Sequence, residues 1–117
     1  MTPAEARAMY LDQLTLHGEY ISVRRYTGTG LSLTHIDRPC LARVTGYLAN
    51  ELVGGINQGD RKVIVLAEDL EGESPNFFPT QRDKILVRGS ELQIISVNDS
   101  TRRIGSTLIA YEIQARG

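Results

Sequence analysis

Tryptophan is absent from this chain of 117 residues, and aromatic residues make up only 6% of it. Proteins that hold single-stranded nucleic acid stack its bases on aromatic side chains, so such a platform is poorly supplied. Cysteine occurs once, at Cys40, which excludes an internal disulfide and a paired-cysteine zinc site. With two scattered histidines, His17 and His35, it does not supply the clustered ligands of a metal centre. No apolar run approaches the ~20 residues that cross a bilayer, so no membrane partner is expected. Glu5, Arg7 and Asp12 interrupt the first apolar residues, unlike a secretory signal. Neither sign of charge is in excess: 13 Lys and Arg stand against 14 Asp and Glu, for a net charge of −1. A domain whose main task is wrapping nucleic acid usually carries a basic surplus.

What is present is ordinary globular composition, 41% hydrophobic and 23% charged. The length suits a single domain spanning residues 1–117. A chain of this size buries about two thirds of its unfolded surface, enough to hold a core unaided.

The patterning changes once. Thr2, Pro3 and Glu5 form a capping-box start, and Ala6, Met9, Tyr10, Leu14 and His17 then recur at helical spacing. This predicts a helix over 3–17, an N-terminal unit over 1–18, and a stop at Gly18. From residue 19 the period becomes two. Strands are predicted over 19–26, 40–48, 61–67, 84–87, 92–97 and 107–115. The run Val63, Ile64, Val65, Leu66 is continuously apolar, as in a strand covered on both faces. Long loops are predicted over 27–38, 51–60 and 68–82. About six strands joined mostly by short turns, after one helix, predict a mainly β fold: a small antiparallel β-barrel over 19–117 or a tight sandwich.

The chemical candidates are few. Gly28-Thr29-Gly30 lacks the third glycine of a dinucleotide loop and opens no helix, so it reads as a flexible loop. Cys40, His35 and Asp37 are the residues from which a nucleophilic site could be assembled. Cys40 follows Pro39 at a strand start, however, where a small buried side chain is the preferred reading. His17 at the helix end complements the helix dipole. Glu68, Asp69, Glu71 and Glu73 form the densest acidic group; it lacks the register of a calcium loop and reads as solvated surface or a docking patch. Asn98-Asp99-Ser100 reads as turn chemistry. The basic pairs Arg24-Arg25, Arg61-Lys62 and Arg102-Arg103 place adjacent side chains on opposite strand faces. The most informative stretch is 51–60, where Gly54, Gly55 and Gly59 give freedom while Leu52, Val53 and Ile56 are apolar. It reads either as a contact loop or as a loop folded back on its own barrel. Leu31, Leu33 and Ile36 raise the same question in 27–38.

Three stretches, with the closing Ile109-Ala110-Tyr111-Glu112-Ile113-Gln114, carry a resemblance. They are Val44-Thr45-Gly46-Tyr47, the run from Leu52-Val53-Gly54-Gly55-Ile56-Asn57-Gln58 through Val65, and Asp83-Lys84-Ile85-Leu86-Val87-Arg88-Gly89. Over nearly the whole domain the chain resembles the head-closure proteins (stoppers or head–tail connectors) of long-tailed bacteriophages. The shared motifs are structural rather than catalytic. The resemblance implies a small β-barrel protomer that assembles with copies of itself into a ring under the portal. Such a ring extends the channel for packaged double-stranded DNA, retains that DNA and docks the tail.

The implied partners are the chain itself, a portal or adaptor protein above, and a tail terminator or tail tube protein below. The implied location is the virion neck, with host cytoplasm before assembly; neither catalysis nor a cofactor is implied. A loop of the family gates the channel. The matching segment is 51–60, with Leu52, Val53, Gly54, Gly55, Ile56, Asn57 and Gln58 as gating or inter-subunit residues, and 27–38 is the alternative. Adaptors and tail terminators share the size and the ring assembly. A nucleic-acid-binding barrel using Arg24, Arg61, Lys62, Arg102 and Arg103 is the reading from another class, and a small enzyme around Cys40 and His35 is a third.

Overall fold

The opening helix forms as the sequence predicts, at Pro3–His17 (α1). Thr2 Oγ1 accepts from the Glu5 N–H and the Glu5 carboxylate accepts from the Thr2 N–H, each at 3.2 Å. This reciprocal cap satisfies two donors that the first turn would otherwise leave orphaned. The helix ends for a reason that spacing does not show. Gly18 is extended, with φ −91°, and needs no left-handed freedom. A Cβ at this position would lie 2.5 Å from the Leu14 carbonyl oxygen and 2.7 Å from that of Ala42. Glycine stands here because two backbones touch. The covered stripe is also narrower than predicted. Ala6 and Leu14 are buried and Tyr10 is half-buried, whereas Met9 and His17 are exposed. The helix rests against one wall of strands, so only the positions directly above that wall are covered.

The computed structural model describes residues 1–71 and 78–117. Its strands are β1 (Glu19–Thr27), β2 (Thr34–Gly46), β3 (Arg61–Leu66), β4 (Lys84–Val87), β5 (Ser90–Asn98), β6 (Arg103–Ile104), β7 (Thr107–Leu108) and β8 (Ala110–Arg116). A short helix α2 (Ala67–Glu71) follows β3. Six strands close an antiparallel barrel in the order β1-β2-β3-β8-β5-β4, while β6 and β7 form a separate two-stranded sheet. The fold is therefore mainly β, a closed six-stranded barrel preceded by one helix.

Several strand ends differ from the predicted ones by one or two residues, and three differences are larger. Residues 34–38 are strand rather than loop, because Thr34 to Ala42 pair with Thr27 to Glu19 without a break. The loop shrinks to residues 28–33, around a 3-10 turn at Gly30–Ser32. Pro39 does not interrupt β2. β3 pairs with β2 only from Ala42 onward, so Pro39 lies on a sheet edge, where proline is tolerated. The 68–82 loop begins inside α2, whose Leu70 is fully buried in the barrel core; residues 72–77 of that predicted loop lie outside the described residues. The last predicted strand divides at Ile109, whose N–H turns to the Arg102 carbonyl at 2.9 Å.

Alternation explains the core. Ile21 and Val23 of β1, Cys40 and Ala42 of β2, and Val63 and Val65 of β3 point inward. So do Ile85 and Val87 of β4, Leu92 and Ile94 of β5, and Tyr111, Ile113 and Ala115 of β8. The continuous apolar run of β3 is covered on both faces, because Leu66 packs outside the barrel with Ala6, Leu14 and Ile109. β5 carries a bulge between Ile94 and Ser96. The extra residue bends the strand as closure requires, and Gln81 Nε2 donates to the freed Ile95 carbonyl at 2.8 Å.

Gly18→Ala drives a methyl into two carbonyl oxygens, and overpacking of this kind costs about 1–3 kcal/mol. Urea unfolding is expected to show a lower midpoint for it. Gly46→Ala, whose added methyl meets nothing within 4 Å, is expected to unfold near wild type.

Candidate functional site

The 51–60 segment, read from its glycines as free to move, is tied to the barrel along its length. Asp60 is only 3% exposed. Its carboxylate accepts from the Asn57 N–H at 2.9 Å, Gln114 Nε2 at 2.8 Å, and both Nε and Nη2 of Arg116 at 2.8 Å. The Gly55 carbonyl accepts from Gln114 Nε2 and Arg116 Nη2, each at 3.1 Å. At the other end, Glu51 accepts from the Leu48 N–H at 2.9 Å and from Lys62 Nζ at 2.6 Å. The Arg116 guanidinium holds the Asp60 carboxyl far below its ordinary value, against the opposing effect of burial and with help from the Asn57 N–H and Gln114. Leu52 and Ile56 are half-buried, and Val53 alone of the three apolar side chains stands well out in solvent, at 66%. Gly54, Gly55, Asn57 and Gln58 lie on the surface. A groove of about 460 Å³ runs beside the segment, lined by Tyr47, Leu52, Gln58, Asp60, Arg61 and Arg88 among others.

The same device recurs before β4. Asp83 is 1% exposed and accepts from the Thr80 N–H at 3.1 Å and from Arg25 Nε and Nη2, each at 3.0 Å. Each aspartate takes the N–H three residues back, is clamped by an arginine from another strand, and opens a barrel strand. A buried carboxylate needs such partners, so the two chain entries into the barrel are fixed in position.

The other candidate loop has the opposite character. β4 pairs with β1 only over Ser22 to Arg24, and β3 reaches β2 only at Ala42. Beyond those points, among the described residues, β1 and β2 pair with no other strand, and they leave the barrel as a two-stranded arm. The arm is stiffened on one face by Arg24, which grips Asp37 at 2.8 and 3.0 Å and reaches Glu91 at 3.3 Å. Tyr26 donates to Glu91 at 2.5 Å and packs edge-on against the His35 ring, with centroids 5.7 Å apart. Arg25 anchors the arm base to Asp83 and to the Phe78 carbonyl at 2.9 Å. At the tip Leu31 is fully exposed, and Leu33 and Ile36 are about half exposed.

The remaining candidates are dispersed. His35 Nδ1 lies 3.3 Å from Asp37 Oδ1, but Cys40 does not join them. It is five residues on, so it points to the other face, into the core. Burial pushes its thiol up to about 12, with the Asp69 charge adding to the shift. The His17 carbonyl accepts from Arg43 at 2.9 Å. Glu68 pairs with Arg7 at 3.8 Å, while Glu71 turns inward to accept from the Tyr111 hydroxyl at 2.7 Å; Glu73 lies outside the described residues. Desolvation raises the Asp69 carboxyl, and Glu68 adds to the rise. Asn98 forms the expected turn, accepting from the N–H groups of Ser100 and Thr101 at 2.9 and 3.1 Å. Arg102 is engaged by Tyr10 and Glu112, and Arg103 by the carbonyls of Asp99 and Ser106.

No protein-family model and no curated protein matches the chain. Sequence reasoning missed the two aspartate clamps. Their signal is a side chain or backbone turn three residues ahead of an Asp that precedes an apolar run: Asn57 to Asp60, and Thr80 to Asp83.

Two outcomes are expected. Asp60→Asn removes a charge-assisted clamp worth about 1–3 kcal/mol, so its urea midpoint at neutral pH falls. Because the folded carboxyl titrates below its unfolded value of about 3.9, the clamp contributes fully above that value and is lost as pH falls through the folded one. Wild type is therefore expected to lose more stability on acidification than Asp60→Asn. Separately, Cys40 is expected to resist a thiol reagent at mildly alkaline pH until urea unfolds the chain; rapid labelling of the native protein is the contrary result.

Proposed function

We propose that this chain is a structural subunit of the neck of a long-tailed bacteriophage, a head-closure protein that works in a ring of its own copies. The ring continues the portal channel, retains packaged double-stranded DNA and presents a surface for the tail. The observation that carries this reading is the arm. A closed barrel has no open edge of its own, yet β1 and β2 run past it and end in an apolar, solvent-facing tip. A cyclic ring is built by repeating one heterologous contact, and a protruding element on every copy supplies it. The resemblance of residues 44–47, 52–65, 83–89 and 109–114 to head-closure proteins supports the same reading.

Electrostatics support it too. Arg24, Lys62 and Arg102 are engaged by carboxylates of the same chain. Free clustered cations would hold phosphates and resist sliding; cations already paired do not. This observation weighs against the nucleic-acid-binding barrel. Between the two candidate loops, the arm tip at 28–33 is the projecting element. The clamped 51–60 segment serves as fixed wall, with Val53 as its exposed apolar point. The neighbours are a portal or adaptor protein on one side and a tail terminator or tail tube protein on the other.

The test is complementation of a phage that lacks this chain. Leu31→Asp combined with Leu33→Asp is expected to leave a folded protein but filled heads that lose DNA or lack tails. Normal infectious yield from that variant contradicts the proposal. The isolated wild-type chain is expected to retain no duplex DNA on a filter at low salt.

A further inference from the structure

One end of the barrel holds two arginines around a single carboxylate. Arg88 Nε and Nη2 donate to Glu19 at 2.7 and 2.9 Å. Arg61 makes no hydrogen bond or ion pair among the described residues, yet it acts on the same group. The Glu19 carboxyl lies below its ordinary value, chiefly through the Arg88 bond and in smaller part through the charges of Arg88 and Arg61, against the effect of burial. Two guanidiniums against one carboxylate leave one positive charge over. The other carboxylates nearby do not absorb it: Asp60 is closed by Arg116, Glu51 by Lys62 and Glu112 by Arg102.

Arg88 also holds a strained position. Val87 pairs directly with Ser90, so Arg88 and Gly89 form a two-residue turn, with φ 49° and 82°. Such turns favour Asn-Gly or Asp-Gly, and Arg88 is the non-glycine residue with positive φ among the described residues. Strain kept at a particular place points to a use for the side chain there. Both arginines line the groove of about 460 Å³ beside the 51–60 segment, a size that suits a ligand. Val44 and Leu52 give it apolar walls, and the Tyr47 hydroxyl in its lining has no hydrogen bond among the described residues.

We infer that this groove binds the carboxylate of an acidic side chain in a peptide segment of a partner protein, with the apolar neighbours of that side chain resting on Val44 and Leu52. One carboxylate neutralises the one spare charge. The Arg61 fork matches it bidentately, and Arg88 Nη1 and the Tyr47 hydroxyl are left to donate beside it. A nucleic-acid backbone brings a row of charges to a groove that has one to offer, apolar walls and Glu19 alongside. The binding does not depend on the chain forming a ring.

Titration followed by backbone amide NMR tests this. Isotope-labelled wild type is titrated with acetyl-Leu-Asp-Leu-amide, with acetyl-Leu-Asn-Leu-amide and with a short DNA duplex. Saturable shifts around Gly46, Gly59 and Gly89 are expected with the aspartyl peptide, and binding about tenfold weaker with the asparaginyl one. Arg61→Gln is expected to lose the binding and keep the urea midpoint, because Arg61 makes no bond among the described residues. Arg88→Asn is expected to weaken binding and to unfold no earlier than wild type, since asparagine suits the turn and an exposed ion pair contributes little. A lower midpoint with unchanged peptide binding makes Arg88 merely structural and overturns the inference. So do equal shifts from both peptides, or no saturable shift from the aspartyl one. Duplex DNA bound in this groove and released by Arg61→Gln overturns it in favour of phosphate.

Discussion

A mismatch of strand lengths governs this molecule. Closing a barrel requires every strand to find two neighbours, but β2 runs 13 residues while β3 runs 6 and β4 runs 4. β1 and β2 exceed what their outer neighbours can pair. The excess cannot stay in the wall, so it leaves as an arm that, among the described residues, has strand pairing on one side only. An isolated two-stranded hairpin is marginal in water. The bidentate Arg24–Asp37 pair, the Tyr26–Glu91 bond and the Arg25–Asp83 clamp are what hold this one extended. The apolar tip then follows: rigid, displaced from its own core, and available to another molecule.

The two buried aspartates explain why the rest of the chain does not behave in the same way. Asp60 and Asp83 stand at the entries to β3 and β4, and each is closed by an arginine far away in sequence on the neighbouring strand. They fix residues 51–60 and 78–83 against the barrel. A loop with Gly54, Gly55 and Gly59 is therefore wall, and the loop with Gly28 and Gly30 is the projection. Glycine content does not separate them; the destination of the carboxylate at the loop's end does.

Much of the architecture was legible. The capping box at Thr2 to Glu5 and the apolar spacing gave α1, and the period of two gave the six barrel strands, because both depend on local chemistry. The double coverage of β3 was written in its unbroken apolar run. What was hidden depends on partners far away in sequence. Residues 34–38 look like loop because of nearby glycines and Pro39, yet they pair with β1 and sit on an edge where proline costs no ladder. Met9 and His17 share a helical face with Leu14, but the wall beneath is too narrow to cover them. The clamp on 51–60 needs Gln114 and Arg116, more than fifty residues away, and no spacing rule reaches that distance. Cys40 and His35 are close in sequence and opposite in space, which alternation along a strand does make readable.

On the proposed reading, the features that matter are the braced arm with its apolar tip and a barrel whose charges are largely paired. A reconstruction of the neck of particles containing this chain, made without imposed symmetry, tests that most directly. The expected density is a closed cyclic ring of these barrels around the DNA axis, with residues 28–33 of each copy projecting from its barrel onto a neighbouring molecule. Copies lying singly, or on the capsid away from the exit vertex, would contradict it.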